Sequence, residues 1–179
     1  MNIAVIFPAP RQTRGKAASL LLAALFAVMA GCSGSPVGKP APAFELKDRT
    51  GKVCRLADLA GHPAVVYFWS TWAPPSRLGI TQMTRLQAAY PRKDLAVVAI
   101  AVRDDGRQVA RFLKDTRVNF PVLLGTTTVE DAWFGPSGPR LPTVFLLDAH
   151  GRIAAVFAGY QRKEDLAPAV EKVVAEAGK

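Results

Sequence analysis

Apolar positions along the chain fall into runs of two kinds. Ala64-Val65-Val66-Tyr67-Phe68-Trp69 is apolar without interruption, and so are residues 95–102. A strand reads this way when both of its faces are covered, so the two runs predict central strands of one sheet. Between them, Ile80, Met83, Leu86 and Tyr90 recur near helical spacing and predict a helix over 76–90 with one buried face. A second helix is expected over 108–116, with Val109, Phe112 and Leu113 inward. Residues 120–124 read as a short strand and 129–134 as a helical turn, and Gly135-Pro136-Ser137-Gly138-Pro139 has loop composition. The segments 143–147 and 153–157 are strands joined through Asp148-Ala149-His150-Gly151, a hairpin connection containing glycine. A helix over 163–176 closes the order. Upstream, 44–47 and 53–56 alternate on either side of a turn at 48–52 and predict a further hairpin. The sum is an α/β domain over 44–179, a central mixed sheet flanked by helices with an N-terminal β-hairpin.

The first 31 residues break this pattern. Arg11, Arg14 and Lys16 precede a 14-residue apolar stretch over 17–30, too short for a typical membrane span and of the length of a signal-peptide core. The stretch ends in Met29-Ala30-Gly31-Cys32, which resembles the bacterial lipoprotein cleavage box. That resemblance implies removal of 1–31, acylation at Cys32, and a lipid-anchored protein of the cell envelope, on its periplasmic side. Residues 32–43, rich in Gly, Ser and Pro, read as a flexible linker between anchor and domain.

Charge narrows the partners. The whole chain carries +9; without Arg11, Arg14 and Lys16, 20 basic residues stand against 14 acidic ones, a balance of +6. Such a balance favours acidic partners or anionic lipid. The basic residues are dispersed and lack interleaved aromatics, so nucleic-acid binding is not expected.

The candidate chemistry lies where the first central run ends, at Trp69-Ser70-Thr71-Trp72-Ala73-Pro74-Pro75-Ser76. Strand, Pro-Pro corner and helix start in that order resemble the active-site turn of the thioredoxin fold, and within it the TlpA/ResA-like envelope thiol-disulfide oxidoreductases, whose pattern is W-x-x-W-C-P-P-C. Arg140-Leu141-Pro142-Thr143 resembles the cis-proline segment facing that turn. The resemblance implies a thioredoxin-like fold, and a surface of Trp72, Pro74, Pro75, Leu141, Pro142 and Thr143 on which an extended protein or peptide partner would pair beside Leu141-Pro142. Trp72 itself is open to two readings, a binding anchor or packing against the Pro142 loop.

The chain departs from that pattern at several points. Ala73 and Ser76 stand where the resemblance expects two cysteines. Exchange chemistry needs an attacking thiolate and a resolving thiol, and alanine supplies neither. A serine hydroxyl is far less acidic and needs a neighbouring base, so Ser76 reads as a first-turn helix residue. Active relatives commonly carry Glu three residues beyond the second cysteine and Pro two further on; here those positions are Gly79 and Thr81.

Cys54 is the one thiol remaining once Cys32 is lipidated, and in a strand it reads as a small apolar filler or a free thiol. His62 and His150 fall at the strand ends remote from the turn, so no triad forms, and no cofactor or metal site is expected. The reading is thus a membrane-tethered, redox-inactive thioredoxin-fold protein that binds a protein or peptide. The alternative is a TlpA-type oxidoreductase working through Cys54 or a partner cysteine.

Overall fold

The computed structural model describes residues 35–179; the expected signal segment and Cys32 lie outside them. In chain order the elements are β1 (Glu45–Lys47), β2 (Val53–Arg55), β3 (Ala64–Trp69), α1 (Pro74–Ala89), β4 (Ala96–Ala101), α2 (Gly106–Asp115), β5 (Val122–Leu124), α3 (Thr127–Phe134), β6 (Thr143–Leu147), β7 (Ile153–Ala158) and α4 (Lys163–Ala177). Short 3-10 turns over Leu56–Leu59 and Gly135–Ser137 were not foreshadowed by the apolar pattern.

Five strands form one mixed sheet in the order β5-β4-β3-β6-β7, and β1 with β2 form a separate antiparallel pair. β3 runs parallel to β4 and antiparallel to β6, with Phe68 opposite Thr143. Successive side chains of a strand point to opposite faces, so β3 divides its residues between two cores. Val65, Tyr67 and Trp69 face Ile80, Met83 and Leu86 of α1, Val109 and Leu113 of α2, and Leu166 and Val170 of α4. Ala64, Val66 and Phe68 face Phe44 and Leu46 of the hairpin and Val129 and Trp133 of α3. All six β3 residues are buried, which is the reason the run is apolar without alternation.

Three helix starts lie earlier than the periodicity predicts, that of α3 at Thr127 after the capping Thr126 among them. α1 begins at Pro74 rather than Ser76, because the first turn of a helix leaves its N–H groups unpaired and proline has none to lose. α2 begins at Gly106, capped by Asp105, whose side chain accepts from the Arg107 N–H at 2.9 Å.

Within the linker expected over 32–43, residues 38–41 are not loose chain. Gly38 N–H donates to the Ile153 carbonyl at 2.7 Å, Ile153 N–H to Lys39 at 2.9 Å, and Ala41 N–H to Gly151 at 2.9 Å. β7 is an edge strand, and this segment satisfies backbone groups at its start that the sheet leaves open.

Candidate functional site

β3 ends at Trp69 and the chain turns through Ser70, Thr71, Trp72 and Ala73 into α1. The turn is held from one side by the loop after β4. Ser70 Oγ donates to the Val102 carbonyl, and the Thr71 N–H and Oγ1 both donate to the Asp104 carboxylate, the hydroxyl at 2.9 Å. Trp72 Nε1 donates to the Arg103 carbonyl at 3.0 Å. With its polar edge tied down, the Trp72 side chain is nevertheless 60% exposed. Its apolar face is therefore largely open to solvent.

Arg103 supplies more than a carbonyl. Its φ of 53° lies in the left-handed region, which a residue with a side chain rarely adopts. Its Nε donates to Glu130 Oε2 at 2.9 Å, and its guanidinium fills the space where a Cβ on Gly138 would sit. One residue thus ties the turn to α3 and to the loop that leads into β6.

The antiparallel register of β3 and β6, continued by one residue, sets Pro142 beside Trp69. The Leu141–Pro142 peptide bond is cis, as the sequence resemblance implies. Pro142 C=O accepts from Gly159 N–H at 2.7 Å, and Thr143 Oγ1 donates to the Arg140 carbonyl. Among the described residues, no hydrogen bond engages the backbone N–H or C=O of Leu141.

The two positions facing the cysteine question are buried. Ala73 is the N-cap of α1 and lies 7% exposed; Ser76, at its third position, is fully buried and its Oγ has no hydrogen-bond partner. Pro74 and Pro75 carry no N–H, and the N–H groups of Ser76 and Arg77 both donate to the Ala73 carbonyl, at 2.9 and 3.2 Å. This helix start therefore offers no free donor to an anion. Below it, Tyr67 Oη donates to the Ser76 carbonyl at 2.9 Å, and burial pushes the phenol well above its ordinary pKa. A Cβ on Gly79 would lie 2.0 Å from that hydroxyl, so residue 79 can carry no side chain while Tyr67 keeps its place.

Cys54 is elsewhere. It lies half-buried on β2 and lines a hollow of about 750 Å³ with Ala96, Val97 and Val98, at the start of β4, whereas the turn follows the end of β3. Burial, and then the Asp58 carboxylate, push its thiol above the ordinary value. His62 and His150 share a hollow of about 520 Å³ formed where β3 begins and β6 ends, likewise remote from the turn. The structure thus brings together Trp72, Ala73, Pro74, Pro75 and Ser76 with Leu141, Pro142 and Thr143, and leaves Cys54 and both histidines out. Asp104, Arg103 and Tyr67 complete the site and were missed from the sequence. Only Asp104 left a trace there, as part of an Asp-Asp-Gly loop after a strand.

Comparison with known proteins agrees with this architecture. The profile of the AhpC/TSA family matches residues 37–156. A thiol-disulfide oxidoreductase ResA from Bacillus cereus is 32% identical over 139 residues, covering 76% of this chain and 78% of its own. The ResA of Bacillus subtilis is 34% identical over 134 residues, covering 74% and 73%. The crystal structure of a thiol:disulfide interchange protein of the thioredoxin family from Chlorobium tepidum superposes with a TM-score of 0.70 at 29% identity, covering 80% of this chain and 99% of that one. The chain therefore belongs to the AhpC/TSA family and to the ResA-like group of thioredoxin-fold thiol-disulfide oxidoreductases.

Proposed function

We propose that this chain is a redox-inactive member of its family, tethered to the membrane in the cell envelope through lipid on Cys32, and that it binds an extended protein or peptide segment across Trp72 and Leu141. The observation that carries the reading is Trp72, held by its Nε1 on a braced turn and 60% exposed. A large aromatic side chain that is exposed yet already ordered loses little freedom on binding, which is what an interface anchor requires. The unpaired backbone of Leu141 offers an extended chain one donor and one acceptor. Ala73 and Ser76 provide no thiol for exchange with the bound segment.

The experiment is capture from an envelope extract by the full chain, with circular dichroism as the folding control. Trp72→Ala should weaken capture of the partner by about 1–2 kcal/mol, the usual size for an anchor, while the fold is kept. Undiminished capture by folded Trp72→Ala rules the binding surface out. Cys32→Ser should release the protein from the membrane fraction, and retention there would count against the lipid anchor.

Family membership favours a second reading, thiol-disulfide exchange through Cys54 or a partner cysteine. Its nucleophile would be a half-buried thiol with a raised pKa, poor in thiolate at neutral pH. An insulin-reduction assay decides: turnover that is lost on Cys54→Ser establishes this reading and removes the first.

A further inference from the structure

Beside the turn, α1 and α2 leave a shallow hollow of about 360 Å³ whose walls include Thr71, Arg77, Gln108, Arg111, Phe112 and Asp115. A second hollow of about 360 Å³ continues it along α1, sharing Arg77, Phe112 and Thr116 and reaching Pro74, Leu78 and Thr81. Together they run from the residue next to Trp72 to Leu78, which is 63% exposed. Arg77 stands at the junction with its guanidinium 5.6 Å from the centroid of the Phe112 ring, a cation–π contact that fixes the group without neutralising it.

The four ion pairs among the described residues are Arg55–Glu45, Arg103–Glu130, Arg107–Asp105 and Arg162–Asp165. Neither Arg77 nor Arg111 belongs to one. The first hollow is lined by these two arginines and one carboxylate, Asp115, so its walls carry an excess of positive charge; nearby, Asp104 is taken up by Thr71, and Asp105, whose charge Arg111 also feels, is paired with Arg107 at 3.4 Å. Resting on the reading of the Trp72 surface as a peptide-binding site, we propose that the bound segment carries an acidic side chain, seated between Arg77 and Arg111. The planar guanidinium fork suits a carboxylate, which it can hold through two parallel hydrogen bonds. A free anion has no use for the exposed apolar surface of Leu78 in the second hollow, nor for that of Trp72, the chain neighbour of Thr71 in the first, whereas a polypeptide can cover both and supply a carboxylate.

The test passes a pool of random hexapeptides over the immobilised full chain in mild detergent and identifies the retained peptides by mass spectrometry. Retained peptides should be enriched in Asp and Glu by about three- to fivefold, the scale of one exposed ion pair. Arg77→Gln with Arg111→Gln should abolish the enrichment. Arg49→Gln with Lys172→Gln removes the same charge from residues that line neither hollow and should preserve it. Retention that depends on Trp72 but shows no acidic enrichment overturns the proposal and leaves the binding surface standing. Enrichment that survives Arg77→Gln/Arg111→Gln, or falls equally in the distant pair, also overturns it, since net charge alone then accounts for it. Retention no greater than that of folded Trp72→Ala overturns the surface and the proposal together.

Discussion

The hydroxyl of Tyr67 occupies the place that a side chain on Gly79 would need: a Cβ there would lie 2.0 Å from Oη and 2.9 Å from Cζ. The pair joins β3 to the second turn of α1 directly beneath the Pro-Pro corner, and the same hydroxyl holds the Ser76 carbonyl. In the sequence, Gly79 looks like a lost acidic residue; in the fold it is the partner of a tyrosine.

Gly79→Ala should accordingly destabilise the domain by about 1–3 kcal/mol, the cost of overpacking, although alanine favours a helix by about 1 kcal/mol over glycine. Tyr67→Phe removes the closer of the two clashing atoms and should make Gly79→Ala milder in the double variant. A double-mutant cycle measured by urea unfolding should show this coupling, and additive effects would mean that the two residues are not in contact.

Ser76 Oγ is fully buried with no partner, so Ser76→Ala should raise stability by about 1 kcal/mol, the desolvation cost of an unmade hydrogen bond. A loss of stability in the same denaturation measurement would show that the hydroxyl is satisfied after all.

Arg103→Ala leaves the largely buried Glu130 without its ion-pair partner and should cost about 1–3 kcal/mol. Glu130→Gln in the same background should recover part of that loss, because a neutral amide is cheaper to bury unpaired than a carboxylate. Thermal unfolding of the two variants gives the comparison, and equal stabilities would argue against a shared cause.

Cys54 should alkylate with iodoacetamide more slowly than a small free thiol at neutral pH, with a midpoint shifted upward. The shift carries a stability consequence of fixed sign. Below the ordinary thiol range both folded and unfolded chains keep the proton and nothing changes. As pH rises through that range the unfolded chain ionises first, so stability falls until the folded thiol also ionises. Cys54→Ser should lack this alkaline decline, and alkylation as fast as that of a free thiol would contradict the assignment.

Restoring thiols tests whether the turn keeps the family geometry. Ala73→Cys with Ser76→Cys places two thiols at the N-cap and third position of α1, where both residues are buried. The variant should fold and form an internal disulfide on oxidation, read as the loss of two hydrogens by mass. Two thiols that stay free under oxidising conditions would show that the turn no longer brings them within bonding reach.

Local pattern alone settled most of the scaffold. The buried run of β3, the one-sided periodicity of α1 and the glycine hairpin between β6 and β7 depend on neighbours two to four residues apart, and such neighbours are visible along the chain. The turn and the Leu141–Pro142 segment were legible for a different reason: each is a short contiguous motif. What the sequence left undetermined is held by contacts between residues far apart in it. Thr71 and Trp72 meet Asp104 and Arg103 more than thirty positions away, and the left-handed backbone of Arg103 follows from the ties it makes there. Gly38 and Lys39 pair with Ile153 across the whole domain, turning expected linker into an added edge. Tyr67 and Gly79 share one space only because α1 folds back over β3, and Arg77 and Arg111 share a hollow only because α2 lies beside α1. Composition and spacing name the residues, whereas the crossing of helices over the sheet decides which of them touch.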